Sequence, residues 1–193
     1  MARDERGRTP LHLAIIRRAC SPRLCQLHSD ILALINRGAD INTIDTDGWT
    51  PLHHLCARRS LEGEEEAILI QWLTNLGARA NIATTGTGEL PLHLGMVHLG
   101  FGSIQALISN GLSFLAVDKF GRTPLHVACD CGTSTNIIKQ FVEEYYTKSG
   151  EISAINAVTH SGWTALHYAV AHDRGDLVDL LARHGADLQV LSV

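Results

Sequence analysis

Eleven histidines and five cysteines in 193 residues raise the question of metal binding or thiol chemistry. The tightest grouping is His126-x-x-Cys129-x-Cys131, an imidazole and two thiols of the kind that hold a soft divalent ion such as zinc. For nucleophilic or phosphate chemistry the chain offers no Gly-x-Ser-x-Gly elbow, no Gly-x-x-x-x-Gly-Lys loop and no His-Glu-x-x-His pair. No enzyme is expected, and no cofactor or metal.

The histidines have another explanation, because most belong to a recurring phrase. Gly-Arg-Thr-Pro-Leu-His occurs at Gly7 to His12 and again at Gly121 to His126. Variants run from Gly48 to His53, Gly88 to His93 and Gly162 to His167. Each residue type has a mechanical reason: Gly adopts positive φ in a tight turn. Thr is expected to accept an unpaired N–H at a helix start, and Pro suits the next position, which needs no N–H. A neutral imidazole both donates and accepts, so it can pin a turn to its neighbour while buried.

Counted from histidine to histidine, the copies lie 41, 40, 33 and 41 residues apart. Self-similarity at such a period marks a stack of like units. The phrase Thr-Pro-Leu-His-x-Ala resembles the hallmark of the ankyrin repeat, and the resemblance runs through the whole chain in five copies. It implies an all-α solenoid of β-turns and helix pairs, with approximate repeats at 4–44, 45–83, 84–117, 118–158 and 159–193. First helices are expected to begin near Pro10, Pro51, Pro91, Pro124 and Ala165. Second helices should centre on Ile31–Ile35, Ile68–Leu73, Ile104–Ile108, Ile137–Val142 and Leu177–Leu181. The first two repeats carry eight and six extra residues between their helices, and the fourth about eight, through a longer second helix and a loop near Ser149-Gly150. The run Glu62 to Glu66 reads as acidic residues at a helix start.

Register also bears on the cysteines. Cys56 and Cys129 both stand six residues after the motif Thr, where Ile15, Met96 and Val170 stand elsewhere. That is a buried apolar position in which Cys acts as a small hydrophobe. Motif histidines on helices roughly 8–10 Å apart cannot share an ion that needs ligands at about 2.0–2.3 Å.

The third repeat departs furthest from the pattern. Leu90 replaces the motif Thr, Gly95, Gly100 and Gly102 fall in or after the first helix, and Leu115 stands where Asn occurs elsewhere. A soft joint is expected there. The chain opens directly in a turn and ends in Leu188 to Val193, apolar where an outer cap is polar, so further repeats or another domain are expected beyond it.

The resemblance further implies that turn tips and first helices line a concave face that contacts a protein or peptide. Carried over by position, the contact residues are Arg8, Trp49, Arg58, Lys119, Phe120, Arg122, His160 and Trp163, with Arg17, Arg59, His98 and His172 at first-helix ends. Trp and Arg are the types most enriched in binding hot spots. The basic members suggest a partner with acidic segments. An alternative role is that of a regulatory or targeting region cut from a larger enzyme or channel. Asn42, with Leu34 eight residues before it and Asp40-Ile41 between, resembles the pattern that an asparaginyl hydroxylase modifies in this family. A turn-stabilising Asn explains the same residue. The net charge of −4 argues against sequence-independent nucleic-acid binding, and no apolar run is long enough to enter and span a bilayer. Five cysteines without a paired framework fit a reducing compartment, cytoplasm or nucleus. Partner identity and oligomeric state stay open.

Overall fold

The structure is a computed structural model that describes residues 2–17, 24–58 and 63–189. Arg59, Glu62, Cys20 and the apolar tail from Val190 lie outside the described residues. Among those described, the chain is all-α, with ten α-helices in five pairs and no strand. The first helices are α1 (Pro10–Arg17), α3 (Pro51–Cys56), α5 (Pro91–His98), α7 (Pro124–Asp130) and α9 (Ala165–Ala171). The second helices are α2 (Leu24–Asn36), α4 (Gly63–Asn75), α6 (Phe101–Ser109), α8 (Thr135–Phe141) and α10 (Gly175–Arg183). Four first helices start on a proline, where the ring's fixed φ suits a helix and the missing N–H is not needed.

First helices stack in the order α1, α3, α5, α7, α9, each against the next, and α4 lies alongside α6. Aliphatic side chains form one continuous core, from Leu11 and Ile15 at one end to Leu177 and Leu181 at the other. The extra residues of the first two units do not all fall between helices. Helices α2 and α4 have 13 residues each, against nine in α6 and α10, so part of the insertion extends the second helix.

In the fourth unit α8 runs on into a π-helical turn, Val142–Thr147, and a 3-10 turn, Ile152–Asn156, follows. The widened π turn directs both Tyr145 and Tyr146 inward: Tyr146 is 1% exposed and packs with Phe114 and Phe141. Tyr145 meets Phe101 and Phe114 of the third unit. An aromatic cluster thus supports the glycine-rich third unit. Within that unit Gly95 has a packing reason, since a Cβ there would sit 3.1 Å from the Leu107 side chain and 3.2 Å from Leu99.

Candidate protein-binding surface

The motif histidines form a relay along the stack. In each unit Nδ1 accepts the backbone N–H three residues earlier: Thr9 to His12, Thr50 to His53 and Thr123 to His126 at 3.1 Å, and Leu90 to His93 at 3.2 Å. Nε2 then donates to a carbonyl further along the chain: Trp49 from His12 (3.0 Å), Glu89 from His53 (3.3 Å), Arg122 from His93 (3.0 Å) and Ala157 from His126 (2.9 Å). An acceptor at one nitrogen and a donor at the other fix the neutral Nε2–H tautomer. Burial lowers the pKa of all four, that of His53 to about 4.

The motif Thr keeps its expected role at Thr50, whose Oγ1 accepts the His53 N–H at 3.4 Å. In each Thr-bearing unit the hydroxyl lies 2.8–2.9 Å from Nδ1, and because Nδ1 is the acceptor, the hydroxyl donates. By itself the imidazole satisfies the N–H of the residue three before it, which is why Leu90 can replace Thr without losing the N–H to Nδ1 bond.

Each turn is held by a residue that the repeat phrase leaves out. Asp45 Oδ1 accepts from Asp47 N (3.0 Å) and Trp49 N (2.9 Å), and Asp118 Oδ1 accepts from Phe120 N (2.9 Å) and Arg122 N (2.8 Å). Asp4 does the same for Arg6 and Arg8, while Thr84 and Thr159 bond the equivalent N–H with a hydroxyl. The signal was present as an acid three residues before the turn Gly in three of the five copies. Neighbouring turn tips are joined by backbone bonds, Thr46 N to Arg6 O, Thr85 N to Asp47 O, Lys119 N to Thr87 O and His160 N to Phe120 O, at 2.9–3.2 Å.

On this frame the expected contact residues occupy the turn tips and the α3 end, in different states. Phe120 is 53% exposed, and His160 and Lys119 are exposed. Trp49 is half-buried over the imidazoles of its own helix, 5.0 Å from His54 and 6.2 Å from His53. Trp163 lies 5.1 Å from Tyr168 and 6.0 Å from His167.

The cations are engaged within the chain. Arg8 pairs with Asp4 (2.8 Å), and Arg58 donates to Ile15 O (2.8 Å). Lys119 Nζ donates to Thr85 O. Arg122 bridges Asp118 (2.7 Å), Glu89 (3.4 Å) and Asp130 (3.5 Å), with its guanidinium 5.1 Å from the Phe120 ring centre. Burial opposes its charge, but Asp118 and Glu89 outweigh it and hold its pKa above the ordinary value.

Asn42 does more than stabilise its own turn. Its Nδ2 donates to Gly77 O (2.9 Å) and its Oδ1 accepts from Arg79 N (2.7 Å). Asn156 repeats this with Gly185 O (3.1 Å) and Asp187 N (2.8 Å). Both amides therefore tie one unit to the next.

Thiol and metal chemistry find poor geometry. Cys56 and Cys129 are fully buried, and burial pushes the Cys129 thiol up to about 12. Cys131 is exposed, away from that register. Val170, expected to be buried in that register, is instead 61% exposed. Among the described residues the grouping with ligand spacing is His12, Asp45 and His54, and not His126, Cys129 and Cys131. Asp45 Oδ2 accepts from His54 Nε2 at 2.8 Å, and His12 Nε2 carries the proton of the relay. A metal there would need that proton moved to Nδ1, against the Thr9 N–H.

The ankyrin-repeat family's sequence profiles match residues 6–46 ("Ankyrin repeat") and 96–191 ("Ankyrin repeats (3 copies)"). A yeast protein (Saccharomyces cerevisiae), "Probable 26S proteasome regulatory subunit p28", is 30% identical over 99% of this chain and 77% of its own length. The chain belongs to the ankyrin-repeat family. It is also similar to the mouse "B-cell lymphoma 3 protein homolog", 28% identical over 78% of this chain and 32% of that protein. The human "B-cell lymphoma 3 protein" is 27% identical over 89% and 36%. The chain therefore spans most of the yeast relative but about a third of each mammalian one. Ankyrin repeats are protein–protein interaction modules, and this chain is one. No helix among the described residues is long and apolar enough to cross a membrane.

Proposed function

We propose that the chain is one ankyrin domain of five repeats that holds a protein partner on its turn tips and first helices, the concave side in ankyrin geometry. The observation that carries this is the row of aromatic surfaces at the tips: Phe120 exposed by 53%, with Trp49 and Trp163 half-open. Each of these tips is fixed by an acid or hydroxyl to backbone bond and a backbone bond to a neighbouring tip, so little conformational entropy is lost on binding. The arrangement is suited to grip and not to catalysis. The acidic character of the partner rests on Arg8, Arg58, Lys119 and Arg122, which already donate within the chain. Salt should therefore weaken binding only modestly. Compartments in keeping with free thiols are the cytoplasm and nucleus. Asn42 as a hydroxylation substrate requires its two inter-repeat bonds to open first.

A second reading follows from the yeast relative, named as a regulatory subunit of a larger assembly: the chain serves as a regulatory or targeting part of a larger enzyme or channel. Both readings place the partner on the same face. Capturing partners with the domain and mapping amide exchange in the complex tests this. Protection should gather at 45–49, 118–122 and 159–163, and combined alanines at Trp49, Phe120 and Trp163 should abolish capture while the helical signal stays. Protection confined to the second helices would overturn the proposal.

A further inference from the structure

The turn tips differ in what they carry. Those of the first, second, fourth and fifth repeats hold Glu5-Arg6, Thr46-Asp47, Lys119-Phe120 and His160-Ser161 before the turn Gly. The third tip is one residue longer: Gly88 N bonds back to Thr84 O, where Gly48 N and Gly121 N bond to Asp45 O and Asp118 O. It is built of Thr85, Gly86 and Thr87, so no side chain on it is longer than threonine. A cleft of about 250 Å³ lies where this low tip meets the second, lined by Asp47, Trp49 and Glu89 with Thr84 to Thr87. That is below the roughly 300–1,000 Å³ of small-molecule pockets and suits one long side chain.

No lysine, arginine or histidine lines the cleft. Asp47 is exposed, and among the described residues no cation pairs with its carboxylate. Glu89 Oε2 accepts from Thr87 Oγ1 at 2.7 Å, and Oε1 accepts from Arg122 at 3.4 Å. Arg122 also serves Asp118 and Asp130. One guanidinium thus meets three carboxylates, and Asp47 adds a fourth. Lys119 is turned to the Thr85 carbonyl. Four carboxylates against two engaged cations leave the charge open to a partner here negative. Trp49 supplies an aromatic wall, held by its contacts with His53 and His54.

A guanidinium is the group that such a lining recognises. It is planar, so it stacks on an indole, and its fork of N–H donors meets two carboxylates at once. An ammonium gives up the fork, and an acid would face Asp47 and Glu89 with like charge.

We propose that the cleft between the second and third tips seats an arginine side chain of the bound partner, against Trp49 and between Asp47 and Glu89. The proposal rests on the concave-face reading and adds the partner's chemistry at one point of that face.

A pentapeptide, Gly-Ser-Arg-Ser-Gly blocked at both ends, tests it beside the same peptide with citrulline, the neutral isostere of arginine. Amide and indole N–H resonances of the full chain report the titration. The arginine peptide should shift the Trp49 indole and the amides of 84–89, and leave the indoles of Trp72 and Trp163 in place. Citrulline in the peptide, or Asp47→Asn with Glu89→Gln in the protein, should each weaken binding about fivefold or more. Both substitutions are isosteric, and Asp47→Asn alone, at an exposed site, should act in the same direction. Equal shifts for the two peptides, shifts spread over the chain's other acids, or a double variant that binds as tightly as wild type would each overturn the proposal. Partner capture separates it from the face reading. Capture that needs Phe120 and Trp163 but ignores Asp47→Asn with Glu89→Gln overturns the arginine seat and leaves the concave face standing. Protection confined to the second helices in the complex overturns both.

Discussion

At the scale of single residues the motif histidine is the most constrained group. The neutral tautomer is required by both of its bonds, and His53 is fully buried with its pKa lowered to about 4. The unfolded chain binds protons at His53 from pH 6.5 downward, whereas the folded chain does not until about 4. Stability is therefore complete above about pH 6.5 and falls as pH drops toward 4, by about 3 kcal/mol for His53 alone. His12, His93 and His126 add to the same slope. Denaturant melts at pH 7.5 and 5.0 should show this loss, and His53→Gln should be less stable at pH 7.5 with a shallower pH dependence. Gly121 is constrained by different physics: φ is 75°, and a Cβ would lie 2.9 Å from His160 N. Gly121→Ala should cost at least about 1–2 kcal/mol by the left-handed backbone alone, measured by the same melts.

At the scale of elements, the first helices were readable in the sequence because Thr-Pro marks a start with a local chemical reason, and all five begin where expected. Two features were not. The π-helical turn at Val142–Thr147 depends on where Tyr145 and Tyr146 find a cavity in the third repeat, a long-range matter that periodicity does not carry. The turn-holding Asp45 and Asp118 lay outside the repeated phrase, so their spacing before the glycine went unread. Glycine content alone also misleads in the third repeat, where Gly95 is pressed by Leu107 and Leu99 but a Cβ at Gly102 would meet nothing within 4 Å. Gly102→Ala should therefore stabilise the protein by about 0.5 kcal/mol, and Gly95→Ala should give no such gain. If both gain equally in chemical denaturation, packing is not what retains Gly95.

At the scale of the molecule, stability is a chain of nearest-neighbour junctions, because no core residue is shared beyond adjacent repeats in such a stack. The junction of the fourth and fifth repeats holds the two bonds of Asn156 to Gly185 O and Asp187 N, the His160 to Phe120 backbone bond, and the Arg174 to Thr133 bond at 2.7 Å. Removing the Asn156 amide leaves Gly185 O and Asp187 N without their partner, at a cost of about 1–3 kcal/mol. Asn156→Ala should therefore speed amide exchange across α9 and α10 while α5 and α7 keep their protection. Asn42→Ala, at the junction of the first and second repeats, should instead speed exchange across α1 and α2 while α7 and α9 keep their protection. Exchange mass spectrometry resolved by segment separates the two patterns, and a uniform loss across the chain in Asn156→Ala would show that the array opens as one unit and not from its end.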